Sequence, residues 1–74
     1  MTIDRTPPDI AWRLADGKPL ACVEKLRVLR QNMAELHQQC QDALEDAILM
    51  QCDEAQFRRA LHDLIDRLEN PYTS

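Results

Sequence analysis

Apolar residues recur along the middle of the chain at alternating intervals of four and three. The series begins at Cys22 and continues to Met50 without a slip, and no Gly or Pro interrupts it after Pro19. This spacing returns apolar side chains to one helix face every 3.5 residues, which is the period of coiled coils. We therefore predict one long amphipathic helix over 19–51, with Pro19 in the first turn, where its missing N–H costs nothing. The members of the series are Cys22, Leu26, Leu29, Met33, Leu36, Cys40, Ala43, Ala47 and Met50.

A second apolar series follows after a short polar stretch. Asp53 stands three residues before Gln56, which is the spacing of a helix capping box, and Asn70-Pro71 is a stop signal. The spacing predicts a second helix over 53–70, with 71–74 as a tail. Its apolar face consists of Phe57, Leu61, Leu64 and Leu68.

The first part of the chain also carries a helix-like pattern. Thr6 or Asp9 can cap a helix that starts with two prolines, and Gly17 can end it. We predict a short helix over 7–16, with Trp12 at the edge of the core or on a partner surface. The three helices together predict a single all-α domain over 1–74, built as a long helical hairpin with a short N-terminal helix.

Composition narrows the class of protein. The 74 residues include one Gly and four Pro, which does not suit an all-β fold rich in tight turns. The net charge of −4 gives no general attraction to nucleic acid or to anionic membranes. Neither a signal peptide nor a membrane-spanning run is expected, and three cysteines do not form a disulfide framework. A reduced, cytoplasmic protein of bacterial type is the expectation.

The two predicted helices differ in length by about twofold, which points to self-association. The second helix can cover only the C-terminal half of the first, so the apolar face around Leu26 and Leu29 stays open. Burial of one Leu stabilises by about 2 kcal/mol, so a second copy of the chain is the expected cover. We predict an antiparallel four-helix-bundle homodimer made of two hairpins.

Charge selects the antiparallel orientation. Residues 18–34 carry a net charge of +3, and residues 35–54 carry a net charge of −6. An antiparallel pair sets Lys25 near Asp46 of the other copy, whereas a parallel pair stacks like charges. The apolar series gives a matching register, in which Met33 lies opposite Leu36. The same register pairs Leu29 with Cys40, Leu26 with Ala43, and Cys22 with Ala47.

This layout resembles the Rop-type helical hairpin dimers. The residues that carry the likeness are Asp53-Glu54 and Leu61-His62-Asp63, with Asp66 and Leu68. Because members of that family bind paired RNA loops through a helical face, the resemblance implies an RNA-binding adaptor as an alternative function. The basic residues available for phosphate contact are Lys25, Arg27, Arg30, Arg58 and Arg59. The long first helix and the acidic surface depart from the family pattern.

Candidate chemistry is sparse, and no enzyme or cofactor is predicted. His37 and Cys40 lie one helical turn apart, but two ligands are too few for a closed metal site. Cys52 precedes a helix N-terminus, a position that can make a thiol reactive, and a metal- or redox-linked accessory role is the third hypothesis. The leading hypothesis is a small accessory or regulatory protein that acts by helix–helix contact, with itself and with a larger protein partner.

Overall fold

The computed structural model describes residues 10–72, and it contains two α-helices in that range. Helix α1 is Val23–Leu49 and helix α2 is Glu54–Asp66. The predicted all-α helical hairpin is confirmed. The chain divides into two compact units, Met1–Gln39 and Cys40–Ser74, so the boundary falls inside α1. Within residues 10–72, neither helix combines the length and the apolar character needed to cross a bilayer.

The segment before α1 is a tight β-turn, and the helix predicted over 7–16 is wrong where it can be compared, at 10–16; residues 6–9 lie outside the described range. The Gly17 N–H donates to the Leu14 carbonyl at 2.9 Å, and the Leu14 N–H donates to the Lys18 carbonyl at 2.7 Å. Gly17 has a φ of 92°. It is the residue in the left-handed conformation that closes a three-residue hairpin loop. The Asp16 carboxylate accepts from the Lys18 N–H at 3.0 Å and tightens the turn.

This turn also explains why α1 begins later than residue 19. Pro19 lies opposite Arg13 in an isolated antiparallel bridge, and the Leu20 N–H donates to the Trp12 carbonyl at 3.0 Å. Arg13 and Pro19 are a non-hydrogen-bonded pair, in which neither residue uses its own N–H across the bridge. A proline fits this position because its missing N–H leaves no bridge hydrogen bond unmade. The first helical bond of α1 joins the Leu26 N–H to the Cys22 carbonyl at 3.0 Å, so the helix starts four residues after the expected point.

The C-terminal end of α1 is closed by two backbone hydrogen bonds. The Gln51 N–H donates to the Ile48 carbonyl at 3.0 Å, and the Cys52 N–H donates to the Ala47 carbonyl at 2.9 Å. This is a Schellman motif, in which the residue after the cap adopts the left-handed conformation. That residue is Gln51, with a φ of 66°. The position usually belongs to Gly, because a Cβ makes the left-handed conformation unfavourable.

Replacing Gln51 with Gly is therefore expected to stabilise the fold by about 0.5–1 kcal/mol, because Gly adopts this conformation without the Cβ penalty. Urea denaturation followed by circular dichroism at fixed protein concentration measures the change. Gln51→Ala serves as the matched control, since Ala keeps the Cβ and should leave stability nearly unchanged. Equal stabilities for the Gly and Ala variants would show that the turn carries no such strain.

Helix α2 starts at an acidic cap, as predicted. The Gln56 N–H donates to the Asp53 carboxylate at 2.8 Å, which satisfies one of the free donors of the first turn. The helix ends at Asp66 with Arg67 as its cap, four residues before Asn70. Asn70 and Pro71 form a separate turn, in which the Asn70 side chain accepts from the Tyr72 N–H at 2.8 Å. Of the predicted tail, 73–74 lie outside the described residues.

Candidate interaction surface

The hairpin in unit 2 is most tightly packed beside its turn. Leu44 is 9% exposed and Ala47 is 3% exposed, and no other apolar side chain of residues 10–72 is as buried. Phe57 and Leu61 of α2 are half-buried. The C-terminal part of α1 and the first two turns of α2 therefore supply the small core of this unit.

Exposure rises along α2 away from the turn. Leu64 is 59% exposed and Leu68 is 72% exposed, although both belong to the same apolar series as Phe57 and Leu61. On α1, Cys40 is exposed and Ala43 is half-buried, while Met50 at the turn is 74% exposed. The apolar series thus continues past the part of the hairpin that buries it.

In unit 1, the predicted series is partly sheltered on α1. Leu26, Leu29 and Met33 are half-buried, whereas Leu36 is 54% exposed and Cys22 is exposed. His37, which lies beside the series, is half-buried as well. The packing of the single chain therefore shelters some members of the predicted series and leaves others in water.

Some exposed apolar residues lie outside the predicted series. Val28 and Leu49 project from other sides of α1, at 51% and 82% exposure, and Ile65 flanks the α2 series at 57%. Ile10 and Leu14, on either side of Trp12, are also partly exposed, at 39% and 44%. The recurrence of Ile10, Trp12 and Leu14 at every second position was the available signal for an extended segment.

The basic residues proposed for RNA contact are partly committed to neighbouring carboxylates. Arg27 pairs with Glu24 at 2.7 Å, and Arg58 pairs with Glu54 at 2.9 Å. Each pair is solvent-exposed and contributes little to stability, but it offsets the positive charge that phosphate binding requires. RNA binding through these residues stays a prediction.

The candidate metal and thiol residues do not assemble into a centre. Within residues 10–72, no three His, Cys, Asp or Glu side chains are grouped closely enough to hold a metal ion. Cys22, Cys40 and Cys52 are free and exposed. The Cys52 thiol donates weakly to the Asp53 carbonyl, with 3.7 Å between sulfur and oxygen. A shallow open depression on α2 is lined by Ala60, Asp63, Leu64 and Arg67, and its rim is closed by the Arg67–Asp63 ion pair at 3.2 Å.

The feature that stands out within residues 10–72 is therefore the set of exposed apolar side chains on the two helices. No known protein family, characterised protein or solved structure matches this chain.

Proposed function

We propose that this protein is a non-enzymatic accessory module that works by packing helix against helix. Its first partner is a second copy of itself, in an antiparallel four-helix-bundle homodimer, and the dimer then docks on a larger protein. One observation carries the proposal: within residues 10–72 only Leu44 and Ala47 form a buried apolar core, while twelve large apolar side chains are exposed.

The amount of exposed surface supports a missing partner. Twelve large apolar side chains of residues 10–72 are exposed in the single chain. A stable protein–protein interface buries about 1,200–2,000 Å² in total. Association through the apolar line on α1 fits this scale, since members of that line such as Leu36 remain 54% exposed in the single chain.

The charges along α1 support the antiparallel arrangement. The basic residues of α1 lie in its first half, at Lys25, Arg27 and Arg30, together with Glu24 and Glu35. Its second half holds Asp42, Glu45 and Asp46 and has no Lys or Arg. Antiparallel pairing sets the two halves against each other at both ends of the interface. Such surface pairs contribute little energy individually, so they select the orientation while the apolar line supplies the affinity.

Sedimentation equilibrium from about 1 to 100 µM, in parallel with circular dichroism, tests the proposal. We expect a monomer–dimer equilibrium, with helicity falling on dilution because the monomer buries too little to stay folded. We also expect dissociation to increase modestly at high salt, which screens the charges that set the orientation. A chain that stays monomeric and fully helical across this range would contradict the proposal.

A further inference from the structure

We propose that α2 of each copy packs against α1 of the other copy as well as its own. The two α2 helices then lie at opposite ends of the four-helix dimer, and each layer of its core takes one side chain from each of three helices. The inference rests on the proposed function, because it presupposes the antiparallel dimer. In this arrangement α1 of the other copy covers Leu64, which is 59% exposed in the single chain.

The hairpin turn fixes which residues of α1 and α2 lie at the same level. Helix α1 ends at Leu49 and α2 begins at Glu54, so the turn is centred close to Cys52. Residues equally distant from Cys52 then lie side by side, because both helices rise about 1.5 Å per residue. The matched pairs are Ala47 with Phe57, Ala43 with Leu61, and Cys40 with Leu64. All six positions belong to the two apolar series.

The antiparallel register adds a third residue to each pair. With Met33 opposite Leu36 of the other copy, the residues that reach Cys40, Ala43 and Ala47 are Leu29, Leu26 and Cys22 of that copy. The three resulting layers are Cys40, Leu64 and the second copy's Leu29; Ala43, Leu61 and its Leu26; and Ala47, Phe57 and its Cys22. Every residue of these three layers is therefore a member of one of the two apolar series.

Side-chain size fits these layers. The residues from the second half of α1 are small, namely Cys40, Ala43 and Ala47, while α2 contributes Phe57, Leu61 and Leu64. Alternation of small and large residues allows three helices to approach closely and fill the space between them. A two-helix hairpin leaves such small residues beside unfilled volume at its open end, where Cys40 and Leu64 are both exposed.

The lengths and the charges of the two helices also favour a second copy of the chain as the partner of α2. Helix α2 has 13 residues and α1 has 27, so each α2 can cover half of the paired α1 helices and the twofold symmetry supplies the other half. In this arrangement α2 runs parallel to the first half of the second copy's α1. Asp63 and Asp66 then fall within one residue of the levels of Arg27 and Arg30 in that copy, which places acidic groups beside basic ones.

Two cysteine variants separate this inference from the dimer itself. The first carries Cys22→Ser, Cys52→Ser and Leu29→Cys and keeps Cys40, so it reports the register between the two α1 helices. The second carries Cys22→Ser, Cys40→Ser, Cys52→Ser, Leu29→Cys and Leu64→Cys, so it reports contact of α2 with the other copy. Disulfides require Cα atoms within about 7 Å, and oxidation followed by non-reducing electrophoresis and peptide mass spectrometry identifies the linked positions.

We expect both variants to form covalent dimers, linked through positions 29 and 40 in the first and 29 and 64 in the second. The matched control for the second variant replaces Leu29→Cys with Val28→Cys, which projects from another side of α1 and should not link to position 64. A 29–40 link without a 29–64 link would overturn the three-helix layers and leave the dimer standing. Loss of the 29–40 link would overturn the proposed register itself.

A measurement on the otherwise native chain guards against variants that fold poorly. Leu64→Asp is expected to raise the dimer dissociation constant by on the order of 30-fold or more, because each copy loses a buried Leu. Leu49→Asp is the control, since Leu49 is 82% exposed and lies outside the proposed layers. Equal dissociation constants for the two variants, measured by sedimentation equilibrium, would refute a role of α2 in the interface.

Discussion

Replacing Leu29 with Asp is expected to abolish self-association, with the dimer dissociation constant raised by on the order of 1,000-fold. Leu29 lies in the middle of the basic half of α1 and is half-buried in the single chain. In the proposed dimer it faces Cys40 and Leu64 across the core. Each dimer contains the substitution twice, and each copy loses the burial of a Leu and places a carboxylate in an apolar layer, where an unpaired charge is costly.

Val28→Asp provides a closely matched control. Val28 adjoins Leu29 in α1 but is 51% exposed and lies outside the apolar series. The two variants share the introduced charge and nearly the same position in the helix, so intrinsic helix effects are similar. Sedimentation equilibrium should find a monomer for Leu29→Asp and a dimer for Val28→Asp. A Leu29→Asp protein that dimerises as tightly as its control would place the interface elsewhere.

Replacing Leu44 with Ala is expected to lower the free energy of unfolding by about 2–5 kcal/mol, the usual cost of removing a buried Leu side chain. Leu44 is 9% exposed and belongs to the packed part of the hairpin. The core that remains is so small that the loss should unfold much of the chain. Urea denaturation followed by circular dichroism, at one protein concentration throughout, measures the effect.

Leu49→Ala separates core packing from a general effect of shortening a Leu. Leu49 is in the last turn of the same helix and is 82% exposed, so its truncation should change stability by less than about 0.5 kcal/mol. If both substitutions cost the same, the hairpin in unit 2 is not the part that holds the fold together.

The two helices were predictable because long, regular apolar spacing leaves few alternatives. The Asp53 cap was predictable for the same reason, since it depends on a local hydrogen bond to Gln56 that the spacing allows. The predicted ends of the helices were less accurate than their existence. Pro19 suits a first helical turn and equally a bridge position without a free N–H, and only the pairing with Arg13 decides between them.

The helix predicted over 7–16 is wrong at 10–16, where the chain forms a turn and an isolated β-bridge. Ile10, Trp12 and Leu14 alternate with other residues, and Asp16-Gly17 follows, which together favour a β-turn. The same stretch also contains apolar residues at helical spacing and a proline start. In a segment this short, the helical period of 3.6 residues and the strand period of two residues place apolar side chains at many of the same positions, so the pattern does not decide between them.

The choice of buried residues at the hairpin depends on helix geometry that a residue pattern does not contain. The strict heptad series includes Ala43, yet Leu44 is the more buried neighbour. An α-helix with 3.6 residues per turn drifts by about 20° per heptad relative to a 3.5-residue repeat. This drift allows Leu44, which flanks the series, to be buried at 9% exposure beside Ala47, the member of the series that is 3% exposed.

The core of Leu44 and Ala47 has a consequence for when this protein exists in its ordered form. If the proposed dimer is what orders the chain, ordering is a second-order process, and the concentration of ordered dimer rises with the square of the free chain concentration. Synthesis rate then acts as a threshold: below it, chains are open to proteolysis, and above it they protect one another.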